Sequence, residues 1–538
     1  MPVNGYSTRN SWFGVFVLAV CAVWLIWRAD QRTLGLAVNS LRLAAGVCVF
    51  SIPLGTGLGL LVCRTDLPMR RAILVVWLAF LFVPLYLQAA AWDAGFGRLG
   101  WYSMAGATFD VPWMHGWFAA IWIQVMQAIP WVLLIVGAAL TRAEPELEDD
   151  ARLHGGTWWV VWRVTLRRSW GGIAIATLWV AVLTSSDMTV TDLYQIRTLV
   201  EELYTGFALY DTTSSIPGLW SSVFATGCLA ALIGLALRSW SVRPLDRIAN
   251  VPRAFELGRW RWAWFLMVAL VLVVAIGVPL SNLVYQAGLV VSRTDGTYVR
   301  HWSIARFSEL TVPLPGHYER TAIWRFHREL GWTALLAGGV ATLGVIMAAP
   351  LGWWARRGGL RALPVVLLVA GGLATPGPLI GTGVIWLFTR GTSAASVWLY
   401  DQTLAAPLLA LVCRALPVAV LVCWFAALTV PRSREDAAAL DGINAMGRFW
   451  LFGVAQNKLA LGVAWLVCVA IASGDLATSI LVVPPGVTTL PIRVFNLLHA
   501  GVDDQVAALC LLNIGVIVGV GTIILLVGGR WLKQLRGV

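Results

Sequence analysis

Two short stretches decide how this chain is built: Glu148-Asp-Asp-Ala-Arg-Leu-His-Gly155 and Glu435-Asp-Ala-Ala-Ala-Leu-Asp-Gly442. Aligned on their glycines, Ala151 falls on Ala438 and Leu153 on Leu440. Twenty-five residues before each glycine stands a proline, Pro130 in Gln127-Ala-Ile-Pro and Pro417 in Arg414-Ala-Leu-Pro. Further upstream, Pro53-Leu-Gly55 matches Pro350-Leu-Gly352. Shared hydrophobicity alone does not align polar loops in the same order, so the chain reads as two parallel halves. Each octet opens on carboxylates, which the dipole of a helix favours in its first turn. Each closes on a glycine able to turn left-handed and release the chain into a second short helix.

Around the octets the chain is strongly apolar. Of its 538 residues 59% are hydrophobic and 12% charged, against roughly 45 to 50% and 25% in a soluble domain. With a mean hydropathy of +0.77 and 31 tryptophans, a polytopic membrane protein is the expectation. The apolar residues run unbroken, at odds with the alternation of an outer-membrane barrel. Apolar runs with flanking charges give spans at 12–27, 43–63, 72–92, 117–140, 170–187 and 218–237, then at 263–285, 331–354, 362–389, 404–430, 459–477 and 506–529. The Gly/Pro-rich stretch from Gly371 to Gly383 reads as a broken helix. The run from Trp12 to Trp27 follows Arg9 but precedes no small-residue cleavage site, and is read as an uncleaved span.

The net charge of +12 sits in short loops between apolar runs. It therefore reads as a topology signal and excludes a nucleic-acid surface. With both termini in the cytoplasm, inside segments hold about 25 Lys and Arg against about 12 outside, half of those in the single long loop 286–330. All eight cysteines fall inside apolar runs without a C-x-x-C pair, which argues against disulfides or zinc. The domain reading is a first repeat at 1–240, a cytoplasmic connector at 241–262 and a second repeat at 263–538.

The octets resemble the EAA loop, E-A-A-x-x-x-G, of permease subunits of binding-protein-dependent ABC importers, in the fused two-repeat form found among iron(III) and thiamine permeases. The core positions are Asp149, Asp150, Ala151 and Gly155, then Asp436, Ala437, Ala438 and Gly442, with Glu148, Leu153, Glu435 and Leu440 alongside. The segments Arg64-Thr-Asp-Leu-Pro-Met-Arg-Arg71, Trp162-Arg-Val-Thr-Leu166, Ser186-Asp-Met-Thr-Val-Thr-Asp-Leu-Tyr194, Gly474-Asp-Leu-Ala-Thr-Ser479, Val483-Pro-Pro-Gly486 and Asn496-Leu-Leu-His499 extend the similarity. Aspartate replaces the family glutamate in both copies, and Asp150 replaces an alanine in the first. The resemblance implies an all-α integral membrane fold of about twelve helices in two parallel six-span repeats, in the bacterial inner membrane. It implies two docking loops for two copies of a separate ATPase, a solute-binding protein outside, and iron(III) as first cargo, with thiamine, a polyamine or an oxyanion as alternatives.

The chain carries no motor of its own. A phosphate-cradling loop needs G-x-x-x-x-G-K-[ST], and the two lysines, Lys458 and Lys533, follow Asn457 and Leu532. No H-E-x-x-H or G-x-S-x-G appears, so neither catalytic residues nor a cofactor are expected. Charges at membrane depth cost about 2.5 to 3.5 kcal/mol, which makes Asp187, Asp475 and Arg414 candidates for the translocation path. The two aspartates either line an exit for a cation or cap broken helices, and Arg414 is expected to pair with a carboxylate or backbone carbonyls. The loop 286–330 holds His301, His317, His327 and several acids without metal-ligand spacing, and reads as an interfacial segment with no metal site. A secondary transporter is the rival reading, since it too has repeats and membrane carboxylates, but it gives no reason for the octets to recur.

Overall fold

The computed structural model describes residues 31–105, 112–141, 145–154, 156–209, 223, 226–227, 230, 232–233, 255–294, 297–312, 319, 321–390, 394–502 and 504–536. The expected span at 12–27 lies wholly, and that at 218–237 for the greater part, outside them.

The first half supplies α1 (Gln31–Arg64), α2 (Arg70–Phe80), α3 (Leu85–Phe96), α4 (Gly116–Leu140), α5 (Pro145–His154), α6 (Trp170–Ser186), α7 (Thr189–Leu193) and α8 (Leu199–Leu209). The second opens with α9 (Arg261–Leu272) and α10 (Val278–Ala287). An antiparallel hairpin follows, β1 (Leu289–Thr294) and β2 (Thr297–Trp302), with Leu289 opposite Trp302. Then come α11 (Ile304–Thr311), α12 (His327–Ala355), α13 (Leu363–Ala374), α14 (Gly377–Thr389), α15 (Ala405–Leu428), α16 (Arg432–Leu440), α17 (Lys458–Gly474), α18 (Leu490–Leu498) and α19 (Asp504–Arg536).

Each half is centred on three packed helices: α1 against α4 and α6, and α12 against α15 and α17. The Pro-Leu-Gly stretches sit where the long helices cross closely. A Cβ on Gly55 would stand 2.5 Å from the Val132 Cβ, and one on Gly352 2.6 Å from the Trp424 backbone nitrogen. Hydrogen takes the place of a side chain there because two backbones meet.

Among the described residues, six helices are long and apolar enough to cross a membrane, or nine if each of three bent pairs counts as one span. The break expected within Gly371–Gly383 is present, α13 and α14 meeting at 110°. The run 72–92, expected as one straight crossing, is instead α2 and α3 at 99°. Proline sets both bends. Pro84 and Pro376 stand in extended conformation, ψ 152°, immediately before the second helix of their pair, and a proline disfavours the helical region for the residue ahead of it. Residues 445–455 likewise meet α17 at 67°.

Second-half helices pack on the first half. Both α10 and α19 pack on α3, and α19 also on α2. The Asn282 amide donates to the Ala91 carbonyl at 3.2 Å, and the Asn513 amide donates to the Tyr86 hydroxyl at 2.8 Å. Within the loop 286–330, the described residues include the hairpin and α11. Arg306 on α11 reaches Asp504 at the start of α19 at 2.6 Å, and His317 lies outside the described residues.

Candidate functional site

In the second octet, helix α16 starts after Pro431 and carries Glu435 in its first turn. It ends in a Schellman motif: the Ile443 amide donates to the Ala438 carbonyl at 2.9 Å, and the Gly442 amide to the Ala439 carbonyl at 3.1 Å. Gly442 is left-handed at φ 81°, the role its position demands. The next short helix is capped by Asn444, whose side chain accepts from the Gly447 amide at 2.7 Å. Glu435 lies 2.7 Å from Arg356, which follows α12, and 3.9 Å from Arg448. Burial pulls the Arg356 guanidinium below its ordinary value, and Glu435 counters part of that. Ala438 is buried, while Leu440 is 89% exposed.

The first octet lies on α5, with Gly155 outside the described residues. Glu148 is fully buried in an ion pair with Arg64, the last residue of α1. The Thr165 hydroxyl also donates to Glu148 at 2.8 Å, and Arg64 donates to the Leu140 carbonyl at 3.0 Å. Leu153, matching Leu440, is 83% exposed. Asp149 is half-buried and Asp150 exposed, whereas Asp436 and Ala437 are both exposed. After each octet the chain winds into a π-helical segment, Val161–Leu166 and Phe449–Ala455.

Sequence reasoning did not single out Arg64 and Arg356 as the anchors of the octet glutamates. They stand at unequal distances from the matched prolines, so alignment hides them. Their common signal is an arginine closing each long helix.

The membrane-depth candidates cap helix ends. Asp187, at the end of α6, accepts from the amides of Thr189 at 3.0 Å and Val190 at 3.1 Å, and from Gln124 at 3.1 Å. Asp475, at the end of α17, accepts from the Thr478 amide at 2.8 Å and lies 3.5 Å from Arg414. Arg414 also donates to the Thr375 carbonyl at 3.2 Å, at the bend between α13 and α14. Its counterpart Gln127 accepts from Gln88, which donates in turn to the Val83 carbonyl at 3.2 Å, at the bend between α2 and α3. The two matched turns meet: Met188 and Leu476, each next to its aspartate, are buried in one cluster with Val200 and Phe495.

Beside that cluster, Asp192 of α7 faces His499 at 3.3 Å. The other ring nitrogen of His499 lies 3.0 Å from the Phe495 carbonyl. Both nitrogens thus face acceptors, which suits the doubly protonated ring. The Asp192 hydrogen bond raises the His499 pKa above its usual value, against burial.

No family model matches the chain, and no solved structure matches it. Over 103 residues, 19% of this chain, it is 32% identical to the putrescine transport system permease protein PotI of Escherichia coli strain K12. The PotI protein of Escherichia coli O6:H1 strain CFT073 matches to the same extent. The chain covers 37% of the length of these relatives. The similarity is to part of a transport permease. Together with the apolar helices, it describes a helical, multi-pass membrane protein similar in that part to a transport permease.

Proposed function

We propose that this chain is the permease subunit of an ATP-driven importer, formed of two fused six-span repeats around one translocation path in the bacterial inner membrane, with both termini cytoplasmic. Helices α5 and α16 are its docking elements for two copies of a separate ATPase. A solute-binding protein delivers cargo on the opposite face. One observation carries this reading: both octets lift a leucine into solvent, Leu153 and Leu440, from helices whose glutamates are tied to the ends of the long helices. A large apolar side chain on a rigid base is what a partner groove takes as an anchor. Alternating access follows. Nucleotide-driven closure of the ATPases moves α5 and α16, and α1 and α12 carry the motion to the turns where Met188, Val200, Leu476 and Phe495 close the path.

The cargoes to which the resemblances point are cations; Asp187 and Asp475, engaged in capping helix ends, border the path without offering it free carboxylates. Iron(III) follows from the resemblance of the membrane turns. The similarity to a putrescine permease favours a polyamine, which the sequence reading held as an alternative.

The test is co-expression with the ATPase. Replacing Ala438 or Gly442 by a bulky charged residue should abolish copurification of the ATPase while the permease stays in the membrane. Unchanged copurification and transport would remove the docking assignment. Flux in proteoliposomes without any nucleotide-hydrolysing subunit would replace the proposal by a secondary transporter. Labelled putrescine and labelled iron(III), offered to the reconstituted complex, decide the cargo.

A further inference from the structure

The two octet helices are anchored differently on their aromatic side. Around the second, the Arg356 guanidinium stacks over Trp353, 4.1 Å from the ring centroid, and Trp353 belongs to the same helix, α12. Around the first, the equivalent ring arrives from the connector. Phe255 is 3% exposed and lies between the guanidiniums of Arg64 at 5.2 Å and Arg152, on α5, at 5.1 Å.

Its backbone is held as firmly as its ring. The Phe255 amide donates to the Arg64 carbonyl at 2.8 Å, and the Asp66 amide donates to the Phe255 carbonyl at 3.3 Å. Two residues on, the Leu257 amide donates to the Asp66 carboxylate at 2.8 Å. The ring packs with Val160 and Val161, and Ala151 of the octet joins the same cluster. The chain then enters α9 at Arg261. One strand of connector therefore touches the end of α1, the octet helix and the segment after it, a few residues before the first long helix of the second half.

We propose that Phe255 is a latch that fastens the connector onto the first octet helix, so that α5, the end of α1 and the start of α9 move as one body. Nothing comparable reaches α16 among the described residues, where the partners of Glu435 are residues of its own half. The two docking helices therefore couple unequally. Motion of α5 passes directly into both halves, and motion of α16 into one. This rests on the reading of the octets as docking elements, but the latch is testable without any ATPase.

Amide hydrogen exchange of the full-length chain in lipid nanodiscs separates the two. In Phe255→Ala, loss of two cation–π contacts and of the buried ring should speed exchange across residues 145–154 about tenfold, with residues 432–440 unchanged as the internal control for folding. Phe255→Trp, which keeps an aromatic face for both guanidiniums, should restore the wild-type rate. Arg152→Ala should give an intermediate rate. Wild-type exchange at 145–154 in Phe255→Ala, or equal acceleration at 432–440, would overturn the latch whatever the ATPase does. With the latch confirmed, Phe255→Ala in the reconstituted complex should lower transport per nucleotide hydrolysed while copurification of the ATPase persists. Failure of the ATPase to bind the wild-type chain would count against the docking reading alone.

Discussion

Glu148 and Glu435 open matching octets but live in different dielectric surroundings. Glu148 and Arg64 are both almost wholly removed from solvent, and removing one partner of such a pair leaves an uncompensated buried charge worth about 3 to 5 kcal/mol. Glu435 is 27% exposed and its partner Arg356 7%, so this pair is only partly removed from water and its loss leaves a less deeply buried charge behind. Thermal unfolding in detergent should therefore show a large drop for Glu148→Ala and a smaller one for Glu435→Ala. Equal losses would contradict the difference in burial. The His499 contact titrates. Its pKa is raised in the folded protein by Asp192, so the stability it adds is complete below the ordinary histidine value of about 6.5 and is lost as pH rises through the raised one. The gap in melting temperature between wild type and His499→Gln should be full below the ordinary histidine value and narrow as pH rises through the raised one. A gap independent of pH would mean the ring acts only by packing.

At the scale of elements, the Pro-Leu-Gly stretches mark close contacts between helices, α1 on α4 and α12 on α15. Gly55→Ala and Gly352→Ala each push a methyl into a space already filled, at a cost of about 1 to 3 kcal/mol. Both should be sensitive, since the obstacle to Gly352 is the Trp424 backbone nitrogen and that to Gly55 is the Val132 Cβ, which is fixed to its own backbone. Chemical denaturation of the two variants measures both losses. Helix positions were legible in the sequence because a hydrophobic run of sufficient length has few other folds, and the left-handed Gly442 was legible because helix ends need such a residue. The bend at Pro84 was not. Averaged hydropathy rises on both sides of it and conceals the change of direction. The anchors Arg64 and Arg356 were hidden by unequal spacing, and Phe255 by its distance along the chain from the octet it covers.

For the molecule as a whole, the second half packs on the first through α10 and α19, and Asn282 and Asn513 add buried polar bonds across the seam. This interface should hold without chain continuity. Two polypeptides divided ahead of residue 250 and co-expressed should copurify, and Asn282→Leu should weaken that association by leaving the Trp101 indole nitrogen without its acceptor. Separation of the halves on mild detergent extraction would argue that the covalent connector holds them together.

The paired bends carry a consequence for the surrounding lipid. A helix interrupted inside hydrocarbon exposes main-chain groups that oil cannot solvate. Gln88 and Arg414 answer one carbonyl each, at Val83 and Thr375. Any main-chain group at the bends left without a protein partner would have to be hydrated. Were water to reach both interruptions, a charged solute entering between them would have less low-polarity distance to cross than the full thickness of the membrane.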